Sequence, residues 1–250
     1  MTPASSPAFA LLARLGGLPS VGTLPLMRGG HARRLNGAPH SSPAIERLSL
    51  PARTTLFDVG EPLDALHIVF QGSLKTVVTA ACGTTRITSF VRRGEVVGFE
   101  QRRTGGHAAE AITLEPSVVL ALPVSKIEAS CGDDPALLHL WWRVCAAPME
   151  RHAAQLILLA RRLVHERLER FLWSLVPAPT VMAEGAPRLH LAMGRGEIAS
   201  YLGMTNESVS RAFAKLVDEG RIRVRGRHID LLSCPSVPSR LAEDPAVRRA

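Results

Sequence analysis

The stretch that leaves this chain least freedom is "RGEIASYLGMTNESVSRAFAKLVDEG", residues 195–220. Ile198, Ala199 and Leu202 recur at helical spacing and form one inward face. Gly203 then interrupts the run, as expected of a residue that closes a helix in the left-handed conformation. Thr205 or Asn206 can cap a second helix, whose inward face is Val209, Phe213 and Leu216. Ala199, Gly203 and Val209 occupy places five, nine and fifteen of a twenty-residue window that starts at Arg195. Two helices that cross at a small residue, turn at a glycine and lock with an aliphatic residue form a helix-turn-helix.

With that inward face assigned, Glu207, Ser210, Arg211 and Lys215 point outward, most of them in the first turns of the second helix. That end of such a helix meets base edges. Arginine offers two donors to guanine O6 and N7, and glutamate accepts from cytosine N4. We therefore expect Glu207, Ser210 and Arg211 to read bases. Arg195, Thr205, Asn206 and Lys215 are expected on the DNA backbone. The bland alternative is a Glu207–Arg211 ion pair on a solvated helix. Beyond Gly220, "RIRVRGRHIDLL" alternates Ile222 and Val224 with Arg221, Arg223 and Arg225 before Gly226 turns the chain. This predicts a hairpin wing with Arg225 and Arg227 near phosphates, where they supply salt-dependent grip rather than sequence reading. The formal charge of +8 agrees with a polyanionic partner.

Upstream, from Leu48 to Pro123, short β-branched runs alternate with turns: "TTLFDVG", "ALHIVFQGSLKTVVTA", "TRITSFVRRGEVVGFE", "AAEAITLE" and "SVVLALP". Such spacing predicts an antiparallel roll or barrel. From Pro135 to Val176 the period becomes helical. Met149, Ala153, Leu156, Ala160 and Leu163 follow one another at spacings of 4, 3, 4 and 3, a coiled-coil-like seam. This seam either packs on the roll of its own chain or meets a second copy. Pro148 opens or kinks the helix, and "HERLERFLWSL" reads as a separate amphipathic helix. The first 45 residues hold no Asp or Glu and read as a basic disordered tail, with Met27 as an alternative start. His31 and His40 in this tail are expected to be solvated.

The expected fold is thus α+β. A basic tail (1–45) precedes a β-roll sensor domain (46–134), then a dimerisation helix and hinge (135–176). A winged helix-turn-helix (177–235) and a C-terminal tail (236–250) complete it. At 46% hydrophobic content the chain can bury a sizeable core, yet no apolar run approaches the roughly 18 residues of a membrane span. We expect a cytoplasmic protein with no membrane partner. Cys82, Cys131, Cys145 and Cys234 are not in C-x-x-C spacing, so neither a zinc site nor a disulfide framework is expected. No Gly-rich phosphate loop, G-x-S-x-G or H-E-x-x-H is present, which argues against an enzyme.

The order of parts resembles the CRP/FNR family of bacterial transcription regulators over residues 46–235. The resemblance is carried by "LFDVGEPLDALHIVFQGSLK", "GEVVGFE" and "RGEIASYLGMTNESVSRAFAKLVDEGRIRVRGRHI". Glu207, Ser210 and Arg211 match the E-x-x-S-R pattern of the FNR branch. The resemblance implies a homodimer, contact with RNA polymerase and a site near TTGAT-N4-ATCAA. Two family features are missing. The Arg-Ser or Arg-Thr phosphate pair of cyclic-AMP-binding members has no match in place within "GFEQRRTGGHAAEAITLE", so cyclic nucleotide binding is not expected. The cysteine-ligated iron–sulfur cluster of oxygen-sensing members is not expected either. No Cys precedes Cys82, and Leu120 stands at the fourth ligand's place.

No cofactor is therefore expected. The signal stays open among haem with nitric oxide, a small metabolite in the roll, thiol oxidation at Cys131 or Cys145, and the protein's own abundance. His107 is the candidate haem ligand, although a surface-loop histidine is the favoured reading. Cys131, placed near a helix start, is the candidate thiolate. The rival function is a ligand-binding module, for cyclic nucleotide or haem, whose helix-turn-helix serves protein contacts.

Overall fold

Alternation decides the first half of the fold. The computed structural model describes residues 6–15, 45–99, 106–161, 163–176 and 186–233. Expectations on Met27, His31, His40, Cys234, the segment 100–105 and the C-terminal tail lie outside those residues. The chain divides into two compact units, Met1–Ile157 and Leu158–Ala250.

In the first unit, β1 (Glu46–Leu50), β2 (Thr55–Phe57), β3 (Ala65–Gln71), β4 (Ser73–Thr79), β5 (Thr85–Arg92), β6 (Val96–Val97), β7 (Glu110–Thr113) and β8 (Ser117–Pro123) build two antiparallel sheets. Their orders are β1-β8-β3-β6 and β2-β7-β4-β5. Successive residues of a strand face opposite ways. Val69 and Val119 accordingly fill the cluster of Phe57, Leu74, Val91 and Val97, while Leu66, Ile68, Leu120 and Leu122 fill a second cluster beneath the helices. Gly72 joins β3 to β4 at φ +83°, and a Cβ there would stand 2.7 Å from Pro116 O, so only glycine fits.

The helices of this unit are α1 (Pro7–Arg14), α2 (Val124–Asp133) and α3 (Pro135–Leu159). The first corrects the expectation of a disordered tail throughout 1–45. Ser6 caps α1, and Ala8, Leu11, Leu12 and Leu15 are buried in the same cluster as Leu122, Ile127, Leu137 and Val144. Phe9 meets Phe70 edge-on at 6.1 Å. Arg14 pairs with Asp134 at 2.8 Å.

Helix α3 runs unbroken through Pro148, which is buried and sits inside the helix rather than at its start. Arg151 holds it to the roll through Glu95 at 3.4 Å. The expected seam is only partly a helix face. Met149, Ala153 and Leu156 lie on α3, but the helix ends at Leu159, so Ala160 and Leu163 fall in the connection that follows. The apolar stripe instead extends the other way, through Cys145 and Trp142 to Leu138. Leu138 (41%), Trp142 (66%), Met149 (72%) and Leu156 (69%) are all too exposed to be packed on their own chain.

The second unit contains α4 (Val164–Ser174), β9 (Arg188–His190), α5 (Arg195–Leu202), α6 (Asn206–Asp218), β10 (Ile222–Arg225) and β11 (His228–Leu231). The expected hairpin wing is present, with a third strand that sequence reading missed, giving the order β10-β11-β9. The expected 135–176 block is divided, since α3 lies almost entirely in the first unit and α4 in the second. Among the described residues no helix is long and apolar enough to cross a membrane.

Candidate nucleic-acid interface

The two helices of the motif are closed by local chemistry. Glu197 Oε2 accepts from Gly194 N at 2.7 Å at the entry to α5. Gly203 sits at φ +62°, ψ +42°, and Met204 N donates to Ala199 O at 2.9 Å, as in a glycine-closed helix end. Thr205, of the two cap candidates, is the one used: its Oγ1 accepts from Ser208 N at 3.1 Å. Leu202 O, left over at the end of α5, accepts from Arg167 Nη1 at 2.9 Å, while Nη2 of the same guanidinium donates to Arg161 O at 2.6 Å. Arg167 was not singled out by sequence reasoning, since an arginine in "HERLER" carries no local sign of such a partner.

The inward residues are buried as expected: Ile198, Ala199 and Leu202 on α5, and Val209, Ala212, Phe213 and Leu216 on α6. Asn206, Glu207, Ser210, Arg211 and Lys215 are exposed. Glu207 and Arg211 form no ion pair with each other among the described residues, so the self-satisfied surface pair is not formed. Lys215 pairs with Glu219 at 3.7 Å and approaches His165 Nδ1 at 3.5 Å. Arg195, expected on the DNA backbone, is engaged within the motif itself. Its guanidinium lies 3.1 Å from the Phe213 ring centroid, a cation–π contact that joins α5 to α6. Burial lowers its pKa. Arg227 is likewise partly engaged, donating to Ala192 O at 2.8 Å; Arg225 stays exposed on the hairpin.

In the roll, His107 is buried rather than on a surface loop, at 2% exposure. Its ring stacks on Phe57 at 3.8 Å and 11°, and His67, which sequence reading missed, lies 5.6 Å from the Phe57 ring. One face of His107 is therefore covered by Phe57. No arginine is buried among the described residues of the roll, so these residues do not supply a buried cation for a nucleotide phosphate. Arg102 and Arg103 lie outside the described residues. Leu120 is a core residue opposite Ile68.

The thiols are also rearranged relative to expectation. Cys131 is in the last turn of α2, not near a helix start, and burial and Asp134 push its pKa up. Burial raises Cys145 as well. Cys82 is exposed on the β4–β5 turn, and its hydrogen bond to Thr84 lowers its pKa.

Comparison with known proteins matches residues 166–236 to the Crp-like helix-turn-helix domain and residues 47–134 to the cyclic nucleotide-binding domain. The transcriptional regulatory protein btr of Bordetella pertussis is 30% identical over 199 residues, covering 80% of this chain and 82% of that protein. The fumarate and nitrate reduction regulatory protein of Escherichia coli K12 is 29% identical over 177 residues, 71% of each. The structure of FixK2 from Bradyrhizobium japonicum superposes with a TM-score of 0.67 at 25% identity, covering 76% of this chain and 93% of that one. A β-roll followed by a helix-turn-helix, matched at this breadth, is decisive: the chain belongs to the CRP/FNR family of transcription regulators, a DNA-binding protein and not an enzyme.

Proposed function

We propose that the protein controls transcription as a homodimer that binds a TTGAT-N4-ATCAA-like palindrome and contacts RNA polymerase. The observation that carries this reading is the division of α6. Val209, Ala212, Phe213 and Leu216 are buried, while Glu207, Ser210 and Arg211 stand exposed in its first turns. Arg211 is the guanine reader and Glu207 meets the paired cytosine. Thr205, Asn206, Lys215, Arg225 and Arg227 are the backbone contacts, with Arg195 acting through Phe213 rather than on phosphate.

The dimer is supported by the exposed stripe Leu138, Trp142, Met149 and Leu156 on a helix ~37 Å long. A palindrome demands the two-fold symmetry that such a seam supplies. For the input, we propose regulation without an iron–sulfur cluster and without cyclic nucleotide. The described thiols stand on a turn, at the end of α2 and within α3, and Leu120 fills the remaining position.

A gel-shift titration on the TTGAT palindrome and on a scrambled duplex, at low salt and at about 200 mM salt, tests the reading. Retention of the palindrome at the higher salt with loss of the scrambled duplex is expected. Equal binding of both, or of neither, overturns it.

A further inference from the structure

The sheet of the second unit presents two rows of charged or titratable side chains on its open face. Arg225 stands opposite His228, and His228 opposite His190; Arg223 stands opposite Asp230, and Asp230 opposite Arg188. Between the rows, Ile229 and Leu189 turn the other way and are buried. Arg188, His190, Arg223, Arg225 and His228 are exposed. The face has one acid, Asp230. Its carboxylate accepts from Arg188 Nε at 2.7 Å, and Arg188, with Arg225 and Arg223 farther off, holds it below the ordinary carboxylate range. Three guanidiniums against one carboxylate leave the face positive.

The row Arg225–His228–His190 lies at the hairpin-turn end of the sheet. There Arg227 O accepts from Leu191 N at 2.8 Å and Arg227 Nη1 donates to Ala192 O at 2.8 Å. The turn is thus fixed to the segment that leads into α5. The two imidazole rings are 5.0 Å apart at 55°. Two imidazoles alone leave a metal's coordination sphere half empty. Arg225 and Arg227 beside them oppose a cation, and no group of three or more metal-binding side chains occurs among the described residues. The same geometry suits an anion, since protonated imidazole and guanidinium both donate to phosphate oxygens.

We propose that Arg225, His228 and His190 form a phosphate-binding strip whose histidines take up protons when DNA is bound, so that the hold on DNA tightens as pH falls. The proposal rests on the DNA-binding reading above. A phosphate placed on the strip favours imidazolium. Protonation is thereby linked to binding, and each added charge that meets a phosphate steepens the salt dependence.

The test is fluorescence anisotropy with two labelled duplexes, one carrying the TTGAT palindrome and one scrambled, at fixed ionic strength between about pH 8 and pH 6. The intact protein is compared with the double variant His190→Gln/His228→Gln. The intact protein is expected to gain roughly tenfold in affinity for both duplexes, with a salt slope steeper by about one to two per subunit at the lower pH. The variant is expected to lose most of that gain. The remaining histidines are common to both proteins, so a gain retained in full by the variant overturns the proposal. A gain at the upper pH that needs zinc and disappears with a chelator overturns it in favour of a metal. PH-independent binding refutes the strip alone, whereas no binding to either duplex at any pH refutes the DNA-binding reading as well.

Discussion

Arg221 Nη2 lies 2.6 Å from Glu169 Oε1, an ion pair that ties α4 to the residue that opens the wing. Glu169 is almost fully buried, whereas Arg221 keeps part of its surface in water. Glu169→Ala should destabilise the protein by about 2–3 kcal/mol, since a paired charge loses its partner while Arg221 can partly rehydrate. A double change to Glu169→Leu with Arg221→Met should recover most of this loss. Urea unfolding of the full chain measures both.

The same pair sets a pH dependence. Burial raises the Glu169 pKa above its ordinary value more than Arg221 lowers it. The folded chain then holds this proton more tightly than the unfolded chain. This group's contribution to stability therefore falls as pH rises from the ordinary carboxylate range through the raised value. Glu169→Gln should remove that downward slope from a plot of unfolding midpoint against pH. An unchanged slope assigns it to another group.

Arg211→Ala should lower binding to the palindrome by roughly 10²–10⁴-fold, at about 1–3 kcal/mol for each of two guanine contacts. The preference for guanine at that position should flatten, and weak nonspecific binding should persist. Arg225→Ala should instead weaken all duplexes alike and reduce the salt slope by about one per subunit. Titrations on palindrome and guanine-substituted duplexes separate reading from gripping. A retained guanine preference in Arg211→Ala would refute the assignment of α6.

Leu156→Asp places a charge on the exposed α3 stripe and should convert a dimer to monomers in sedimentation velocity, with loss of specific DNA binding. Trp142→Ala should weaken the dimer through lost area alone, leaving the fold intact, because Trp142 is exposed in a single chain. A dimer unaffected by both changes would move the interface off this face.

The three described thiols should react in a fixed order. Cys82, exposed and with its pKa lowered by Thr84, should be alkylated first, with Cys131 and Cys145 slower because burial disfavours their thiolates. Timed iodoacetamide labelling read by peptide mass spectrometry decides it. Earlier labelling of Cys131 would restore it as the reactive thiol.

The motif that dominates the chain was readable because each of its signals is local. Gly203 needs its left-handed backbone, Thr205 caps the next helix, and Val209 and Phe213 follow the helical period. The roll was readable for the same reason, its glycines marking turns between alternating runs. What escaped depends on partners distant in sequence. The Ala and Leu residues of α1 sit amid Pro, Gly and Arg and look like tail until the cluster around Leu122 and Leu137 buries them. No Gly or Pro separates Leu159 from Val164, so the apolar spacing ran on past the end of α3. The "GGH" at His107 looks like an exposed turn, yet the ring is interior and stacks on Phe57. With three residues, β9 is too short to show a period and exists by pairing with β11.

Helix α1 lies entirely ahead of Met27. A polypeptide begun at Met27 would lack Ala8, Leu11, Leu12 and Leu15, and the residues they cover, Ile127, Leu137 and Leu122 among them, would meet water. A chain without α1 would therefore show its surroundings an apolar face that the intact chain keeps from water.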